Sequence, residues 1–71
     1  MIKKKLGQRI KVLRAKAQIS QEELASRADL DRTYINSVEN GKRNISIVNI
    51  EKIASALKCS IKEFFNSNIF G

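Results

Sequence analysis

Arg32, Thr33, Asn36 and Ser37 stand at positions i, i+1, i+4 and i+5, the spacing of one outward stripe on a helix. Their chemistry suits the edges of base pairs. An arginine at the tip of such a helix can donate two hydrogen bonds to O6 and N7 of guanine, and a threonine methyl can pack on the methyl of thymine. The guanidinium pairing is worth about 1–3 kcal/mol of discrimination against a wrong base. For Arg32 the alternatives are a phosphate clamp or an ion pair with Asp29, and for Asn36 and Ser37 plain solvation.

These residues belong to the stretch 21–40, QEELASRADLDRTYINSVEN, in which two short helical patterns meet around a tight turn. Leu24, Ala25 and Ala28 form the apolar stripe of the first pattern, while Ile35 and Val38 sit three apart on the second. Ala25 lets the two backbones approach closely, Asp29-Leu30 forms the turn, and Asp31 reads as an N-cap whose carboxylate accepts an orphan N–H. The unit is a helix-turn-helix, which binds DNA. A recognition helix enters the major groove with its N-terminal residues facing the bases, so Arg32, Thr33, Asn36 and Ser37 are the candidate base readers. Gln21, in the first turn of the preceding helix, fits a phosphate contact, because phosphates favour amides and backbone N–H groups at helix starts. Tyr34 is ambiguous. Four residues before Val38 it could be core, yet its place beside Ile35 points it outward.

Further helices must hold this unit. Leu6, Ile10, Leu13 and Ala17 share one face of a first helix ending near Gln18, with Arg9 and Lys16 off that face. Ser20 and Glu23 read as a capping box. Gly41 stands where a left-handed residue is wanted after the third helix, and the polar Lys42-Arg43-Asn44 loop leads to Ser46 as an N-cap. Ile47, Ile50, Ile53, Ala54 and Leu57 line a fourth helix, and Ser60 with Glu63 caps a fifth bearing Ile61, Phe64 and Phe65. The expected fold is all-α, five helices in a single domain over residues 1–71. With no proline, three glycines and 42% hydrophobic residues there is no linker, repeat or low-complexity tract.

The formal charge of +7 is uneven: Lys3, Lys4, Lys5, Arg9, Lys11, Arg14 and Lys16 all precede residue 17 with no acidic residue among them. Lysines at a helix start oppose its dipole by about 0.3–1 kcal/mol each, so a polyanion, or a solvated basic face, accounts for them better than local stability does. Whether Lys3, Lys4 and Lys5 touch DNA is left open. No stretch reads as a membrane span or secretory signal, which places the chain in the cytoplasm, at the nucleoid of a bacterium or phage host. One cysteine, Cys59, and no histidine argue against a disulfide and a zinc site, and no cofactor is implied. Cys59 between Leu57 and Ile61 reads as a small buried hydrophobe rather than a redox group. Lacking histidine, a glycine-rich phosphate loop and an activated nucleophile, the chain does not read as an enzyme.

SQEELA, LDRTYI, the ENGK closing the third helix, and SIVNIEKIASAL leading into SIKEFF, in this order and spacing, resemble the Cro/CI-like (lambda repressor-like, Xre) family of DNA-binding regulators. The resemblance runs from about Leu6 to Phe65. LDRTYI followed by RN looks most like the small controller proteins of restriction-modification systems, with short phage repressors close behind. It implies that Tyr34 touches DNA, and that Asn40, Lys42, Arg43, Asn44 and Asn49 anchor the phosphate backbone. It also implies that Arg14 pairs with Glu39 structurally rather than contacting DNA. Gln18 and Asp29 depart from the family pattern, standing where glycine is usual. Phe64, Phe65, Ile69 and Phe70 are more apolar surface than a short terminal helix and tail can hide, which marks a homodimer interface; the alternative is that they complete the core, and Phe64 fits either reading equally. Such a dimer would hold two recognition helices about 34 Å apart on a pseudo-palindromic operator and recruit or block RNA polymerase. The competing reading is an antitoxin-like module whose chief partner is a protein.

Overall fold

Each corner between consecutive helices turns on one residue in the left-handed region: Gln18 (φ 57°), Asp29 (φ 57°), Gly41 (φ 71°) and Lys58 (φ 59°). A computed structural model describes Met1–Gly71 as α1 (Ile2–Ala17), α2 (Gln21–Ala28), α3 (Arg32–Glu39), α4 (Ile47–Ala56), α5 (Ile61–Phe65) and a closing 3-10 turn, Asn68–Phe70. At every corner the next residue donates its N–H to the carbonyl five positions back: Ile19 to Arg14 at 3.3 Å, Leu30 to Ala25 at 2.9 Å, Lys42 to Ser37 at 3.0 Å and Cys59 to Ala54 at 2.9 Å. The bond satisfies a helix-end carbonyl that would otherwise lack a partner. Ile19, Leu30 and Cys59 then press against the core, and the residue after each, Ser20, Asp31 or Ser60, is the N-cap of the following helix.

The caps differ in completeness. Ser60 and Glu63 form the reciprocal box expected of them, at 2.8 and 3.0 Å, and Ser46 accepts the Asn49 N–H at 3.1 Å. The box at α2 is half made. Ser20 accepts the Glu23 N–H at 3.0 Å, but the Glu23 carboxylate turns to Arg27, one helical turn on, at 2.9 Å. Asp31 occupies the N-cap position without the side-chain bond expected of it; its carbonyl takes the Ile35 N–H at 3.1 Å.

A single apolar cluster joins all five helices: Leu6 and Ile10 from α1, Leu24, Ala25 and Ala28 from α2, Ile35 and Val38 from α3, Ile50, Ile53, Ala54 and Ala56 from α4, and Phe64 from α5. Alpha-1 crosses the end of α3 at Gly7, where a Cβ would stand 2.7 Å from the Glu39 carbonyl oxygen and closer still to that of Val38. No side chain fits there. Gly41 is confined likewise, since a Cβ would lie 2.7 Å from Lys4 Cγ.

Several expectations are corrected. Arg9 is buried, not off the packed face: its Nε donates to the Phe64 carbonyl at 2.7 Å and its Nη2 to those of Glu63 at 2.9 Å and Asn66 at 3.4 Å. It follows Leu6 by three and precedes Ile10, so it lies on the flank of the apolar stripe, and its charge meets the negative end of α5. Ala17 is exposed, because α1 has run past the core by its last turn. Ile47 is also exposed, at 66%, as is Val48 at 58%, since the core begins one turn into α4 at Ile50. Phe64 is core, with no exposed surface, and cannot belong to a dimer interface. Phe65 and Phe70 pack around it with ring centroids 5.1 and 6.5 Å away and 5.0 Å from each other, so these two and Ile69 are half-buried within the monomer.

Gln18 carries a Cβ in a left-handed conformation that disfavours it by about 1–2 kcal/mol, part of which glycine's greater freedom in the unfolded chain offsets. Gln18→Gly is therefore expected to raise stability by up to about 1 kcal/mol, read as a higher melting temperature.

Candidate nucleic-acid interface

Alpha-3 is too short to bury more than a narrow strip, and the core takes Ile35, Val38 and the carboxylate of Glu39. Arg32, Thr33, Asn36 and Asn40 are left exposed along one outward stripe, with Ser37 half-buried at its edge. The start of α2 lies alongside. Gln21, Arg32, Thr33 and Asn36 line a shallow, wholly polar cleft between the two helices. The Arg32 side chain forms neither the ion pair with Asp29 nor any other hydrogen bond within the chain, so its guanidinium is free at the helix tip.

Behind this stripe stands an ion pair. Arg14 Nε and Nη2 donate to the two Glu39 carboxylate oxygens at 2.8 and 3.1 Å, and Arg14 Nη1 reaches the Ile19 carbonyl at 3.0 Å. The Glu39 side chain has no exposed surface and that of Arg14 has 23%. The hydrogen bond to Glu39 raises the Arg14 pKa, burial opposes it, and the charge of Glu39 adds to the rise. Geometry thus agrees with the structural role implied for this pair. Gln21 joins it, its Nε2 donating to Glu39 Oε1 at 3.0 Å, while its carbonyl oxygen accepts from Asn36 Nδ2 at 3.2 Å. Asn40 Nδ2 in turn donates to Asn36 Oδ1 at 3.2 Å. Nothing in the sequence beyond helical spacing signals this amide chain, because its links span 15 and 18 residues as well as one turn.

A second cluster lies toward the α3–α4 loop. The Tyr34 ring is half-buried against the core, its hydroxyl accepts from Asn49 Nδ2 at 3.1 Å, and the Arg43 guanidinium sits 5.0 Å from the ring centroid. Tyr34 therefore does not point freely outward as its place beside Ile35 suggested. The loop and the first turn of α4 fold over it. Lys42, Arg43 and Asn44 are exposed, and the stem of Lys4 rests on Gly41 beside them. Cys59, far from both clusters in sequence, has its thiol pKa pushed up by burial and then by the Glu63 carboxylate, with Arg9 opposing; this favours the unreactive thiol.

Residues 10–64 match the model of a helix-turn-helix family (HTH_3). Control protein C.MunI from a Mycoplasma species is 50% identical over 66 residues, which are 92% of this chain and 89% of the relative. The crystal structure of the restriction-modification controller protein C.AhdI from Aeromonas hydrophila superposes with a TM-score of 0.85 at 48% identity, covering 89% of this chain and 96% of that one. The controller protein C.Esp1396I, as a tetramer in complex with its natural 35 base-pair operator, superposes with a TM-score of 0.87 at 37% identity, covering 92% and 86% of the two chains.

Arg14→Met removes the cation and leaves a buried carboxylate held by one amide. The loss expected is about 3 kcal/mol, the lower end for breaking a buried pair because Arg14 keeps some solvent. Urea denaturation measures it as a lower midpoint at unchanged slope.

Proposed function

Because the chain belongs to the Xre-type helix-turn-helix family, we propose that it is a sequence-specific DNA-binding transcription regulator of the controller kind, acting as a homodimer on an operator. The observation that carries this reading is the free guanidinium of Arg32, which stands with Thr33 and Asn36 around a polar cleft at the tip of α3. The operator complex of the related tetramer supports it. Arg32 and Thr33 read base edges, Asn36 and Ser37 extend the contact along α3, and Tyr34 adds its ring edge. Gln21, Asn40, Lys42, Arg43, Asn44 and Asn49 face the flanking phosphates, fixing register without reading sequence. Arg43 and Asn49 are held by Tyr34, so backbone contact and base contact share one support. None of these roles asks for a chemical step on the nucleic acid. RNA polymerase is the partner through which such an operator complex would act.

A homodimer needs a surface that the monomer does not use. Phe65 and Phe70 already close one end of the core, and they and Ile69 are each half-buried. Apart from Met1 at 87%, Ile2 at 58% and Val12 at 36% on α1 and its start, the large exposed apolar side chains lie at the starts of α4 and α5: Ile47 at 66%, Val48 at 58% and Ile61 at 36%. We place the centre of the interface there, with Phe65, Ile69 and Phe70 at its margin.

Two outcomes follow. Arg32→Ala should lower affinity for the operator by about 1–3 kcal/mol with a much smaller loss on random DNA, measured by competition. An equal loss on both would make Arg32 a phosphate contact. Val48→Glu with Ile47→Ser should leave the melting temperature of the monomer within a few degrees of the parent and abolish dimerisation in sedimentation across a concentration series. If Phe70→Ser disrupts the dimer at an unaltered monomer melting temperature and the α4 variant does not, the interface lies on the tail.

A further inference from the structure

A carboxylate can only accept hydrogen bonds, and this one is buried. The Gln21 amide that meets Glu39 must therefore present its NH2 end, at 3.0 Å, which leaves its carbonyl end facing α3. There it accepts from Asn36, which must in turn show its own carbonyl to the NH2 of Asn40. A lone asparagine or glutamine can exchange its donor and acceptor ends by a half-turn of the amide. Here a half-turn at any link would set N–H against N–H or oxygen against oxygen. The direction of the chain is dictated from its buried end.

We propose that Glu39, acting through Gln21, fixes the donor–acceptor order of Asn36, so that Asn36 offers its second N–H and second lone pair in a set arrangement and reads adenine through N7 and N6. That pairing requires one donor and one acceptor in a defined order, which a freely turning amide supplies only part of the time. Asn36 lies on the exposed stripe of α3 and borders the polar cleft with Arg32 and Thr33, four residues from the helix tip. Glu39 and Gln21 are positioning residues in this scheme, and for Gln21 any phosphate contact is secondary. The inference rests on α3 being the helix that contacts DNA.

The full chain tests it with Gln21→Ala, Asn36→Ala and the double variant, none of which removes the Arg14–Glu39 pair. A duplex selected from a random pool by the parent protein is varied one base pair at a time at constant salt. Asn36→Ala should lose preference for an A·T pair at one position by about fivefold or more. Gln21→Ala should lose it at the same position by a similar factor, other positions unmoved, and the double variant should be no worse than either single one. Uniform weakening of all duplexes by Gln21→Ala with a shallower salt dependence and the A·T preference intact would leave Gln21 a phosphate contact only and overturn the proposal, as would losses of that preference that multiply in the double variant. The free protein gives a separate readout. The Asn36 side-chain amide signals should be those of an ordered group in the parent and become mobile in Gln21→Ala. If they do not change, the lock is absent whatever the DNA results; if the lock is present but the parent prefers no duplex, the reading of α3 as a DNA-binding helix fails and takes the adenine assignment with it.

Discussion

A carboxylate with no solvent exposure must have its charge met where it stands, and the arrangement around Glu39 follows from that requirement. Arg14 meets it from α1 through two parallel hydrogen bonds, Gln21 meets it from α2, and Glu39 itself is the last residue of α3. Three helices converge on one functional group. Because Gly7 lets α1 lie directly on the carbonyls of Val38 and Glu39, the guanidinium arrives without a gap for water, and the crossing of α1 over α3 and the ion pair support each other. A buried pair is weak evidence for net stability, since packed apolar groups could serve as well. Its contribution here is directional: it defines how α1 and α3 sit against each other, and through Gln21 it adds α2, where apolar contact alone would leave them freer.

Much of this was legible in residue types and spacing. Apolar positions at helical intervals located five helices, and the left-handed residue at Gly41 followed from where the third stripe stops; Gln18 and Asp29 stand where the family usually has glycine, while nothing in the sequence marked the left-handed Lys58. Charged residues were read less well. Spacing sets Arg9 off the apolar face of α1, yet it lies on the flank of that face beside Leu6 and Ile10; what draws it inward is a set of carbonyls more than fifty residues away, at 2.7 to 3.4 Å. For Phe64 the sequence leaves core and interface both open, and the structure makes it core. A chain this short was expected to run out of interior, whereas the 3-10 turn folds back against α1 and supplies more. Of the outward stripe on α3, spacing picked out the exposed positions Arg32, Thr33 and Asn36, and only three dimensions showed that the amides of Gln21, Asn36 and Asn40 are joined.

The two arginines of α1 also change how the basic charge is understood. Of the cations preceding residue 17, Arg9 and Arg14 are committed to carbonyls and a carboxylate within the fold. Lys3, Lys4, Lys5, Lys11 and Lys16 remain exposed and available to a polyanion. Lys4 is the one whose position relative to α3 is constrained, because its stem lies on Gly41 at the start of the Lys42–Asn44 loop.

The corners bear on how such a chain can change length. Between α1 and α2, α2 and α3, and α4 and α5, a left-handed residue, an apolar residue and an N-cap follow one another with no slack. An inserted residue at any of these would either push the apolar member out of the core or detach the cap from its helix. The corner at Gly41 is different, since four residues separate it from Ser46. Insertions and deletions should therefore be accommodated between 42 and 45 and resisted at the other corners, which leaves the segment after α3 as the place where related chains can change length and surface charge without moving their helices.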